Sequence, residues 1–134
     1  MDISLGKRVL ILDNDRDCRN WLMDVLVSEG FRVAGAYDLQ QGERILVDAP
    51  VDIVLMAVQW LDLQMLERLE MLREKPYLYH APMILMIHFS NVMEFSPDLR
   101  HLDCELLLKP FQKKELLACI TKVTADRNPS KLTI

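Results

Sequence analysis

Few side chains in this 134-residue chain are placed to do chemistry, and the most central position carries none. Three short runs, Arg8-Val9-Leu10-Ile11-Leu12, Val51-Asp52-Ile53-Val54-Leu55-Met56-Ala57 and Met83-Ile84-Leu85-Met86-Ile87, are largely apolar without polar alternation. That pattern suits strands buried on both faces of a parallel sheet flanked by helices. Reactive groups in such sheets gather beyond the carboxyl ends of the strands. There the first run is followed by Asp13-Asn14-Asp15, and a later one, Leu106-Leu107-Leu108, by Lys109-Pro110. The middle run ends on Ala57, which offers only a methyl group.

The other reactive residue types point to little chemistry. Cys18, Cys104 and Cys119 are odd in number and far apart, as expected of reduced, mostly buried thiols. No CxxC or HxxxH spacing supports a metal site. His80, His88 and His101 are scattered and read as surface or loop residues. A net charge of −4, with no basic cluster longer than Lys113-Lys114, argues against direct nucleic-acid binding. No apolar run approaches the ~20 residues of a membrane helix, and the N-terminus lacks the order of a signal peptide. The expectation is a cytoplasmic protein.

The elements that must position these residues follow from periodicity and caps. After the strand at 8–12, Asp15 caps a helix reaching about Glu29, with Cys18, Trp21, Leu22, Val25 and Leu26 on one inward stripe. Gly30 stops it. Phe31 to Ala36 is a second strand, and Asp38 with Gln41 resembles a capping box for a helix to about Val47, weakened by Gly42. Beyond the central strand a helix spans about Leu61 to Glu74, with Leu66, Leu69 and Leu72 or Arg73 as its inner edge. A strand at 83–88, a short helix around 97–102, a strand at 106–108 and a last helix from about Gln112 to Ala125 complete the order. Strict βα alternation implies an α/β fold: a doubly wound, five-stranded parallel (βα)5 sheet of flavodoxin-like type in three layers. One domain covers 1–125, and 126–134 reads as a polar tail or the start of a linker.

Four segments, in this order and at these intervals, resemble the receiver domain of bacterial response regulators: Val9 to Asp15, Val51 to Ala57, Ala81 to Ile87, and Leu106-Leu107-Leu108-Lys109-Pro110-Phe111. The lysine followed by proline and an aromatic is the most specific piece. In that family an aspartate ending the third strand takes a phosphoryl group from a histidine kinase, two acids after the first strand hold Mg²⁺, and a Thr or Ser and a lysine contact the phosphate. Such transfer needs an in-line nucleophile and cations that offset spreading negative charge.

Against that pattern Asp13 matches the first acid, Asn14 stands where the second belongs, and Asp15 keeps an acid just beyond. Ala57 replaces the phosphoacceptor, Ile87 the switch hydroxyl, and Leu106 the aromatic that often partners it. His88 stands where a small residue is usual, while Lys109 is retained. The resemblance therefore implies a degenerate receiver with an abandoned phosphorylation site, without enzymatic activity or a cofactor. Two carboxylates ~4 Å apart repel by ~4 kcal/mol at an effective dielectric of 20. With Ala57 and Asn14 much of that repulsion goes, so Asp13 is expected to pair with Lys109 in a pocket stable without metal. Asp52 is expected to cap or face solvent, and Asp62 to cap the third helix.

The resemblance also implies how such a chain would work: as an interaction module for a protein partner, whether a histidine kinase, an output domain or another regulator, or as a homodimer. The segment from Trp60 to Leu66 lacks the glycines that receivers carry there. It should extend the third helix backwards and either fold over the vacant pocket or present Trp60, Leu61 and Met65, with Leu106 nearby, as a docking patch. Two alternatives are a receiver phosphorylated on Asp13 or Asp15 and a flavodoxin-like binder of a small ligand.

Overall fold

A computed structural model describes residues 6–78, 81–92 and 102–125. Its five strands, β1 (Arg8–Leu12), β2 (Arg32–Ala36), β3 (Ile53–Ala57), β4 (Met83–His88) and β5 (Cys104–Lys109), form one parallel sheet in the order β2-β1-β3-β4-β5. Leu10 pairs with Val54, Val54 with Met83, and Met83 with Cys104, so the apolar runs lie side by side in register. The winding reverses between β1 and β3, where doubly wound sheets open a crevice at their carboxyl ends.

The described α-helices are α1 (Arg16–Ser28), α2 (Leu39–Asp48), α3 (Leu63–Arg73) and α4 (Lys113–Ala125). Alternate strand residues serve opposite faces, as the period of two demands. Val9, Ile11, Ile53, Leu55, Ile84 and Met86 pack with Leu22 and Leu26 of α1 and with Leu116 and Ile120 of α4. Leu10, Leu12, Val54, Met56, Leu85 and Ile87 pack on the other face with Leu46 of α2 and with Leu69 and Leu72 of α3. Each side chain so buried contributes about 1.5–3 kcal/mol. The result is the expected three-layer α/β fold. The short helix expected around 97–102 falls outside the described residues except for Leu102, and the polar tail at 126–134 lies wholly outside them.

The helix signals operate largely as read. Asp15 caps α1, accepting from the N–H groups of Asp17 and Cys18 at 3.0 and 3.2 Å. Gly30, with φ at 95°, turns the chain into β2. Asp38 caps α2 by accepting from the Gln41 N–H at 2.8 Å, while the Gln41 side chain reaches one residue further back and accepts from the Tyr37 N–H. Gly42 has a packing reason: a Cβ there would run into the buried Leu12 side chain, so glycine lets α2 approach β1.

Four expectations are corrected. Trp21 is not on the inward stripe; it is exposed and tilts against Phe111, ring centroids 6.0 Å apart. β5 is twice the expected length because it pairs with β4 along the whole of Cys104–Lys109. α3 does not extend backwards: Asp62 caps it, accepting from the Met65 N–H at 2.9 Å. Leu61, expected either to cover the pocket or to form part of a docking patch, is 0% exposed in the core and forms an isolated parallel bridge with Val92. That bridge fixes the backbone ahead of Asp62 in an extended form, which overrides helix propensity.

Candidate functional site

The strand ends meet in a cleft of about 540 Å³ that brings together Asp13, Asn14, Asp15, Ala57 and Lys109 with Met56, Met65, Arg68 and His88. Asp13 is its organising group. Only 2% exposed, it is the sole buried charged residue among the described residues. Its N–H donates to the Ala36 carbonyl at 3.0 Å, which anchors it between β1 and β2. One carboxylate oxygen accepts from the Asp15 N–H at 2.9 Å, and the other accepts from Lys109 Nζ at 3.2 Å. Its carbonyl accepts from Arg19 Nη1 at 2.6 Å. The expected Asp13–Lys109 pair is thus present, and both Asp13 carboxylate oxygens are engaged.

Electrostatics follow from that pair. Burial works to lower the Lys109 pKa, but the Asp13 charge and hydrogen bond outweigh it and hold the ammonium above its ordinary value. Cys18 lies in the same network, a role its place in the sequence does not reveal. Burial first, then its interaction with the Asp13 carboxylate, pushes its thiol up to about 11 against an opposing effect of Lys109. Burial, then the Glu105 charge, likewise raises Cys119 to about 11, and burial raises Cys104 despite nearby Arg73. The three thiols are free, Cys104 buried and the others half-buried.

The cleft does not suit Mg²⁺. Asp13 is committed to Lys109 and a backbone N–H, Asp15 spends one carboxylate oxygen on capping α1, Asn14 carries no charge, and Ala57 has no side-chain oxygen to offer. No cluster of three His, Cys, Asp or Glu that could hold a metal occurs among the described residues. Hard cations of this kind need carboxylate and water oxygens in a near-octahedral set.

The remaining expected residues separate. Ile87 is fully buried in the α2–α3 face of the core. His88 is exposed at the rim of the cleft, where Nδ1 accepts from the Ser90 N–H at 3.2 Å and lies 2.7 Å from Ser90 Oγ. His80 and His101 lie outside the described residues. Asp52 caps the start of the sheet by accepting from the Arg8 N–H at 2.8 Å. Trp60 is 51% exposed and is not part of the cleft wall, whereas Met65 is a half-buried part of it. Leu106 is half-buried against the core, and Leu61, wholly buried, offers no docking surface. Arg73, an open choice at the inner edge of its helix, proves to be a clamp. Its guanidinium donates to the carbonyls of Leu78, Ala81 (2.7 Å), Leu102 (2.8 Å) and Asp103 (3.3 Å).

Comparison with known proteins agrees with this architecture. The family described as response regulator receiver domain matches residues 9–121. Two curated relatives named transcriptional regulatory protein CpxR, from Escherichia coli strain K12 and from Klebsiella pneumoniae, are each 28% identical over 116 residues, covering 87% of this chain and 48% of theirs. The chain therefore spans about half the length of the curated relatives it matches. Among solved structures, the chemotaxis protein CheY4 of Vibrio cholerae superposes with a TM-score of 0.70 at 20% identity, covering 88% of this chain and 98% of that one. A response regulator from Thermotoga maritima gives 0.69 at 20% identity, covering 90% and 99%. No described helix is long and apolar enough to cross a membrane.

Proposed function

The chain belongs to the response regulator receiver domain family, and we propose that within it this chain works without an aspartyl phosphate, as a protein–protein interaction module in two-component signal transduction. Receiver domains act through protein partners such as kinases and output domains. The observation that carries the phosphate-free reading is the end of β3. Ala57 lines the cleft where the nucleophile would stand, and the neighbouring carboxylates are already engaged, Asp13 by Lys109 and Asp15 by the N-terminus of α1. Phosphoryl transfer depends on positioning a nucleophile in line and on cations at the transferred group. This cleft has no carboxylate at the end of β3, and no cluster of three His, Cys, Asp or Glu that could hold a metal occurs among the described residues.

On this reading the chain is not an enzyme, regulation comes from partner binding or dimerisation, and the setting is the cytoplasm. By analogy with the relatives named transcriptional regulators, output would come from a further domain or a partner, not from nucleic-acid contact by this segment.

Incubation with acetyl phosphate and millimolar Mg²⁺, followed by intact-mass measurement, tests the reading. The mass should not change. A gain of one phosphoryl group mapped to Asp13 or Asp15 would replace this reading with that of a receiver using a non-standard acceptor.

A further inference from the structure

Helix α3 carries large apolar residues on its outer face as well as its inner one. Leu69 and Leu72 face the sheet, yet Leu63 and Met71 are 69% and 68% exposed. At about 100° per residue, Leu63, Glu67, Glu70, Met71 and Glu74 share one outward arc, and all five are exposed. Trp60, also exposed, stands just ahead of the helix, beside the Leu61 that the bridge to Val92 anchors in the core.

No lysine or arginine of α3 itself falls on this arc. Arg68 borders the cleft, and Arg73 is turned to backbone carbonyls. Glu67 and Glu74 pair with no lysine or arginine among the described residues. The stripe therefore combines two large apolar side chains with three carboxylates, whereas a helix packed on one side only would be polar on the other.

We propose that the outer face of α3 docks a basic amphipathic helix of a partner protein. Apolar residues of that helix meet Leu63 and Met71, and its lysines or arginines meet Glu67 and Glu74. The inference rests on the contact-only reading above, since a module without a phosphate switch needs a surface that is always available.

The test is a titration of isotope-labelled protein with a synthetic amphipathic helical peptide of leucine and lysine. Amide shifts should concentrate on α3 and Trp60, and a leucine–glutamate twin should not bind. Glu67→Lys with Glu74→Lys should weaken binding by about tenfold or more. The charge-matched pair Asp24→Lys with Asp48→Lys, on exposed positions of α1 and α2, should change it by less than about twofold. Circular dichroism confirms that each variant is folded. Absence of binding, shifts centred elsewhere, or equal loss from both pairs would overturn the proposal. So would a concentration-dependent dimer dissolved by Met71→Lys, which would make a second copy the occupant. If the peptide fails while acetyl phosphate leaves the mass unchanged, only the surface is retired. If the peptide binds but the chain is phosphorylated, only the phosphate-free reading is.

Discussion

Asp13 shows how one buried charge organises a site. Its carboxylate is almost wholly shielded from water and has Lys109 as its charge partner. Lys109→Met should cost about 3–5 kcal/mol, because it strands a buried charge, and Asp13→Asn on that background should recover part of the loss; chemical denaturation measures both. The folded-state pKa of Lys109 lies above its ordinary 10.5. Its contribution is therefore fully present below that pH and is lost as pH rises through the folded value. Melting temperature should then fall on the alkaline side of 10.5, and less so in the Lys109→Met protein. The thiols give a second prediction. Raising Cys18 and Cys119 from 9.0 to about 11 lowers their thiolate fraction about a hundredfold. Iodoacetamide at pH 8 should alkylate them slowly while the protein is folded and quickly in urea.

Elements impose demands that propensity alone does not describe. In α2, Gly42→Ala would gain about 1 kcal/mol from helix propensity, but its Cβ meets Leu12 beneath the helix. Overpacking costs about 1–3 kcal/mol, so the variant should be net destabilised. A double-mutant cycle with Leu12→Ala should show coupling of about 0.5 kcal/mol or more. At the end of α3, Arg73 gathers carbonyls from the segment before β4 and the turn before β5. Arg73→Leu keeps the volume but leaves several half-buried carbonyls unpaired, each worth about 1–3 kcal/mol. It should lower stability by at least about 2 kcal/mol, and amide exchange should quicken first at the start of β5, next to Leu102 and Asp103.

At the scale of the whole molecule, a sheet whose cleft lacks a magnesium ligand set should need no ion at its carboxyl end. Millimolar Mg²⁺ should move the melting temperature by less than about one degree, as expected of a ligand that does not bind the native state. A rise of several degrees would contradict the fit made from Asp13, Asn14 and Asp15. Ala57→Asp places a new carboxylate in a cleft that already holds Asp13 and Asp15. It should lower stability in the absence of metal and make it Mg²⁺-dependent. Thermal melts of the two proteins with and without Mg²⁺ measure the difference.

What the sequence determined by itself was the frame: five strands, the caps at Asp15, Asp38 and Asp62, and the alignment of Asp13, Ala57 and Lys109 at one end of the sheet. These follow from local rules, since apolar runs, capping residues and parallel crossovers fix which residue ends each strand. Tertiary structure decided what became of the side chains between the elements. Leu61 read as a pocket cover or a docking residue and is core, where Val92 pairs with its backbone, while Trp21 lay on a helical stripe and is exposed beside Phe111. Arg73 looked like an ordinary helix-end arginine and proved to tie three segments together. Coverage of a loop or a helix edge depends on segments distant in sequence, and no local periodicity carries that information.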